Sequence, residues 1–146
     1  MESMRISTEP DELDVAMIHD YLNRESYWAR GIPLSTLQRA IDHSLCFGGY
    51  VGTHQVAFAR VISDYATFAN LVDVFVLLPW RGRGYASALM AAIVADARLQ
   101  GLRRFMLATA DAHGLYARFG FRMLARPERM MERHDPGVYG VQPETR

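Results

Sequence analysis

Lysine is absent from this chain: all sixteen basic residues are arginine, set against sixteen acids. Without an ε-amine there is no Schiff-base lysine, no lysine general base and no lysine of the Walker-A type. Cysteine is nearly absent as well. Cys46 stands alone, which excludes an internal disulfide and any multi-cysteine metal site. His19, His43, His54 and His134 show no metal-ligand spacing with one another, so no metal is expected. The apolar run at 71–79 is far too short to span a bilayer. No charged and then apolar secretory segment opens the sequence. These absences predict a reducing, cytoplasmic location and no membrane partner. A net charge of +0 gives no argument for a nucleic-acid partner.

What is present is an ordinary globular composition, 50% hydrophobic and 22% charged, over 146 residues. That length supports one domain, 1–146, with a proper core. Residues 4–8 read as a short strand. Pro10 and the acids beside it open an amphipathic helix carrying Leu13, Met17, Ile18, Tyr21 and Leu22. A loop over 23–33 holds Glu25, Tyr27, Trp28 and Arg30, and a second helix is expected over 33–44. Two strands, 45–51 and 55–63, are joined by Gly52-Thr53-His54. A third, 67–77, is near-continuously apolar, as a strand buried on both faces should be. A helix over 84–100, a strand over 104–109 and a short helix over 112–119 follow. Strands are expected again at 121–125 and, at the edge, at 129–133, with a loose tail from Pro136. The unit at 71–109 implies parallel strands with a right-handed crossover, the earlier hairpins antiparallel ones. The expected fold class is α/β (α+β): a mixed, mostly antiparallel sheet of six to seven strands with helices on both faces.

The most informative stretch is the strand ending in Val76-Leu77-Leu78-Pro79, the turn Trp80-Arg81-Gly82-Arg83-Gly84, and the alanine-rich helix that Tyr85 and Ala86 begin. Such turns expose consecutive backbone N–H groups at the positive end of a helix, a natural anion site. Two arginines add charge suited to phosphate oxygens. A P-loop reading fails for want of lysine. A dinucleotide fold would need a third glycine where Ser87 stands, and an acid about twenty residues on, which is missing.

The pattern Arg81-x-x-Gly84-x-Ala86 resembles the acetyl-CoA loop of the GNAT N-acetyltransferase superfamily. Thr109-Ala110-Asp111-Ala112-His113-Gly114-Leu115-Tyr116-Ala117-Arg118-Phe119-Gly120-Phe121 is similar to that superfamily's second signature. The resemblance covers roughly residues 1–125. It implies acetyl-CoA as co-substrate, with pyrophosphate on the turn formed by Arg81, Gly82, Arg83, Gly84, Tyr85 and Ala86. The pantetheine arm would lie along the backbone of Phe75, Val76 and Leu77, and Thr109 stands where the family's asparagine contacts the cofactor. Tyr116 would be the general acid that protonates the leaving CoA sulfur; the competing reading is a tyrosine packed on Phe119 and Phe121. Asp73 is a candidate base on the strand entering the loop. Family bases also stand one position earlier, here Val72, and alternation puts such neighbours on opposite faces. A structural carboxylate, Glu25 as base, and a water chain stay open beside it. Glu25, Tyr27 and Trp28 lie where acceptor specificity is usually set. They point to a small cationic or aromatic amine, unless Trp28 simply closes the core. A sensor that binds acyl-CoA without turnover and a protein or peptide N-acetyltransferase are the alternatives. The family also makes a homodimer through the 129–140 tail an expectation.

Overall fold

A computed structural model of the chain describes residues 3–140. Five strands form one sheet in the order of the sequence: β1 (Arg5–Ser7), β2 (Leu45–Val51), β3 (His54–Ser63), β4 (Phe68–Val76) and β5 (Arg104–Leu107). The first four are antiparallel neighbours, and β5 joins β4 in parallel. Helices α1 (Val15–Asp20) and α2 (Leu34–Asp42) cover one face of the sheet. Helix α3 (Tyr85–Ala95) packs on the other, and α4 (His113–Ala117) follows β5.

Alternation along the strands divides the core in two. On the α3 side, Phe47, Val61, Ala69, Leu71 and Val76 meet Leu89, Met90 and Ile93. On the α1–α2 side, Cys46, Phe58 and Phe75 meet Ile18, Leu22, Leu37 and Ile41. Phe47 and Phe58 are sealed from solvent, and burying each stabilises the fold by about 1.5–3 kcal/mol.

The first expected helix is broken into three pieces. A 3₁₀ turn at Pro10–Glu12 is followed by α1 and then by a π-helical turn, Tyr21–Glu25. Asp14 makes the break. Its backbone N–H donates to Gln55 Oε1 at 2.7 Å, and its carboxylate accepts from the Met17 N–H, restarting the helix one turn late. Asp96 acts similarly at the end of α3. It leaves the helix with ψ 130° and caps the separate 3₁₀ turn Ala97–Leu99 through the Arg98 N–H.

The larger correction concerns strand number. Among the described residues the sheet has five strands, not six to seven, because 121–125 and 129–133 form none. They are irregular around a 3₁₀ turn at Pro127–Arg129. The sequence Phe121-Arg122-Met123-Leu124-Ala125 has strand-like content, but a strand exists only through a paired neighbour. This segment instead stands off β5 and leaves a groove of about 1020 Å³, lined by Phe105, Leu107, Phe119, Phe121 and Leu124. The tail expected to be loose from Pro136 makes a turn to Gly140, and Tyr139 packs against the α1–α2 cluster. Its remainder, 141–146, lies outside the described residues. None of the described helices is long and apolar enough to cross a membrane.

Candidate active site

Strands β4 and β5 share only four residue pairs, from Phe68–Arg104 to Leu71–Leu107. Beyond them β4 runs on to Val76 while β5 ends, so the second half of β4 borders an open wedge. The Leu77 N–H donates to the Val56 carbonyl on the β3 side. By antiparallel alternation Phe75 and Leu77 therefore spend their backbone groups on β3, and Val74 and Val76 turn theirs to the wedge. Of Phe75, Val76 and Leu77, Val76 is thus the one whose backbone faces the wedge.

The turn beyond β4 has the shape that its glycines predict. Gly82 and Gly84 have φ of 76° and 81°, a left-handed region that costs an L-residue about 1–2 kcal/mol. Among the described residues no side chain caps the N-terminus of α3. The two arginines are placed differently from the simple expectation of charges aimed at phosphate. Arg81 turns inward: its Nε–H donates to the Val76 carbonyl at 2.8 Å, and its terminal nitrogen donates to the Tyr21 hydroxyl at 3.0 Å. Arg83 lies over the Trp80 ring at 5.0 Å and donates to the Pro79 carbonyl. Both arginine side chains thus bond within the protein, Arg81 to Val76 and Tyr21 and Arg83 to Pro79. They hold the shape of the turn.

Asp73 was the open question of the sequence, and a β-bulge answers where it points. Between Phe58 and Arg60 the β3–β4 register slips, and Asp73 takes φ 59°. The inserted residue breaks the alternation that made Val72 and Asp73 look like occupants of opposite faces. Aspartate tolerates this conformation better than most side chains. The carboxylate is buried on the α1–α2 side, where Arg60 Nε donates to Oδ2 at 2.9 Å and Trp28 Nε1 donates to Oδ1 at 2.8 Å. Arg60 also reaches Ser44 Oγ at 3.1 Å. Sequence reasoning missed Arg60. Its signal was a lone charge inside the apolar run Val56–Ile62, which a strand buried on both faces tolerates only with a partner.

Tyr116 projects from α4 beside the groove along β5 and is 9% exposed, its ring edge-on to Phe121 at 6.2 Å. Burial holds its phenol above the usual tyrosine range, and the nearby Tyr27 and Asp111 push the same way. The Thr109 hydroxyl accepts the Ala112 N–H at 3.0 Å, bracing the turn that leads into α4. Tyr27 and Trp28 pack edge to face at 5.1 Å, and the Tyr27 oxygen accepts the Ala110 N–H at 3.2 Å. Trp28 does not close the core: it is 39% exposed. Glu25 and His113 lie on the surface. The Cys46 thiol is buried and pushed up to about 12, mainly by desolvation, so it is inert. Among the described residues no group of His, Cys, Asp or Glu has metal-site geometry.

Parting parallel strands, a glycine turn opening a helix beside them, and a buried phenol on the following helix are the features that the comparisons with known proteins now meet. The family model described as Acetyltransferase (GNAT) family matches residues 15–121, and the chain belongs to that family. It is 32% identical over 135 residues to a Gibberella zeae protein assigned as an acetyltransferase, covering 77% of this chain and 75% of that protein. The crystal structure of a protein from Xanthomonas campestris pv. campestris assigned to the GNAT family is 60% identical. It superposes with a TM-score of 0.94 over 97% of this chain and 99% of that one. A Clostridium acetobutylicum structure solved with acetyl-CoA shares the fold at 13% identity and a TM-score of 0.64, over 92% and 96% of the two chains.

Proposed function

We propose that the chain is an acetyl-CoA-dependent N-acetyltransferase acting on a primary amine of a small molecule. The observation that carries this reading is the parting of β4 from β5 directly beside the uncapped N-terminus of α3. A pyrophosphate would sit on the backbone N–H groups of the 81–86 turn, with Arg81 and Arg83 holding that turn. The pantetheine arm would run along the wedge side of Val74 and Val76, past Thr109, bringing the thioester between β4 and Tyr116. The acetyl-CoA seen in the Clostridium acetobutylicum structure, which shares this fold, supports that choice of donor.

In the reaction the amine nitrogen attacks the thioester carbonyl carbon, the C–S bond breaks, and the sulfur leaves as a thiolate. Tyr116 gives its phenolic proton to that sulfur and is reprotonated from solvent, and the nitrogen of the tetrahedral adduct sheds its extra proton to water at the wedge mouth as the amide forms. A phenol kept neutral by burial is suited to this role. The acceptor enters from the α1–α2 side, past Tyr27, Trp28 and Glu25. Release of CoA with a panel of amines, followed with a thiol reagent, tests the reading. Turnover on at least one small amine is expected, whereas tight acetyl-CoA binding with no turnover on any amine would leave a sensor.

The cofactor turn has its own test. Among the described residues, its own chain neighbours aside, nothing lies within 4 Å of where a Cβ on Gly84 would stand, so a side chain there would occupy space open to a ligand. With the left-handed φ added, Gly84→Val should raise the acetyl-CoA Kd at least about tenfold in isothermal titration. The reading also includes a cytoplasmic location and a homodimer built through the C-terminal segment. The outer edge of β5, which no strand among the described residues pairs, supports the dimer, and a solution mass by light scattering decides it.

A further inference from the structure

Asp73 lies at the wedge but is poorly arranged to take a proton. Each carboxylate oxygen already accepts a hydrogen bond, one from the Arg60 guanidinium and one from the Trp28 indole. The same two bonds make it an effective anchor. The left-handed bulge fixes where the carboxylate stands, and Arg60, itself tied to Ser44 at the end of α2, fixes its plane. Trp28 then has its N–H satisfied inside the protein while part of its ring remains exposed.

The loop that carries Trp28 is braced at its base. Ser26 Oγ donates to the Leu22 carbonyl at 2.6 Å and accepts the Ala29 N–H at 3.1 Å, and the Gly31 N–H reaches the Asn23 carbonyl. Its two aromatic side chains fall on opposite banks of the wedge: Trp28 on β4 through Asp73, Tyr27 beyond β5 through the Ala110 N–H. Together they form a bridge across the mouth through which an acceptor must pass.

We infer that Asp73, backed by Arg60, is a positioning residue that sets the indole of Trp28, and that Trp28 is the specificity-determining wall of the acceptor port. This rests on the acetyl-transfer reading above. The wall suits an acceptor whose amine is carried on an aromatic or apolar group able to lie against the indole.

Steady-state kinetics on Trp28→Phe, Asp73→Asn and the double variant, with an arylalkylamine as acceptor, test the inference. Trp28→Phe leaves the Asp73–Arg60 pair intact and removes only the indole N–H and ring edge. It should raise the acceptor KM about tenfold with kcat within about threefold. Asp73→Asn keeps an acceptor oxygen and tolerates the left-handed φ, but its amide takes no proton. It too should raise KM while leaving kcat and its pH profile near wild type. The double variant should be less impaired than the product of the two single effects, since both act through one contact. A kcat loss of about a hundredfold or more in Asp73→Asn, with the acid limb of its pH profile gone, would identify a base and overturn the inference. An unchanged acceptor KM in Trp28→Phe would overturn it equally. Indole emission, read without substrates in a Trp80→Phe background, separates this from the function itself. It should shift when Asp73 becomes Asn if the anchor sets Trp28, and stay fixed if it does not, even should no amine support turnover.

Discussion

Replacing Tyr116 by phenylalanine should lower kcat by about 10²–10⁴, the range a well-placed general acid contributes, with acetyl-CoA affinity nearly unchanged. A thiolate leaving an acyl centre needs a proton donor that is neutral at working pH and dry enough to remain so. Tyr116 meets both conditions, because burial, and then Tyr27 and Asp111, hold its phenol above the usual tyrosine value. The shift also has a sign in stability. The fold prefers the protonated phenol, so nothing is lost below the unfolded pKa of about 10. As pH rises beyond it towards the higher folded value, the native state pays for a phenol that the unfolded chain ionises freely. Wild type should therefore lose denaturant resistance above pH 10 more steeply than the phenylalanine variant, and the alkaline limb of its rate profile should vanish in that variant. Undiminished turnover in Tyr116→Phe would remove the residue from the chemistry and leave it a packing role against Phe121.

Arg60→Ala should destabilise the protein by about 3–5 kcal/mol, the cost typical of breaking a buried ion pair from one side. The guanidinium and the Asp73 carboxylate are both largely buried, and the pair spans the bulge between β3 and β4. Removing the cation leaves a carboxylate with a single neutral donor, Trp28, inside the α1–α2 core. Denaturant midpoints measure the loss. Arg60→Met, which retains apolar contact, should recover little, because it is the charge that is missing. If Arg60→Ala were as stable as wild type, the pair would be solvated in solution and the bulge would need another explanation. Surface pairs such as Arg24–Asp20 should give small changes under the same assay.

Much of the architecture was legible because local signals agreed. The α2 helix, the β2–β3 hairpin and the buried β4 each showed a clear period or punctuation, and the glycine turn sat between β4 and α3 as read. Where local signals were insufficient, specific tertiary contacts were responsible. Asp14 and Asp96 divided helices whose apolar spacing continued through them. Phe121 to Ala125 looked like a strand because composition reports what a segment is able to do, whereas pairing depends on a neighbour. Within the candidate site, alternation was the right tool for β4 until the bulge at Asp73, and a left-handed aspartate leaves no mark in the residue pattern. Arg60 did leave one, a single guanidinium in an apolar strand. Trp28 was undecidable from sequence, since a tryptophan closing a core and one hung from a distant carboxylate look alike there.

The bond from Arg81 to the Tyr21 hydroxyl joins residues 60 positions apart, and Tyr21 itself stacks on Phe75 at 3.9 Å. The glycine turn and α3 are formed by nearby residues, but the clasp that sets the turn waits for the N-terminal helix to dock. In native-state opening, a fluctuation that lifts α1 would release Arg81 while the sheet and its α3-side core still stand. Warming would then end ligand binding before it ends the fold, and a bound ligand, by favouring the clasped state, would hold the first helix in place.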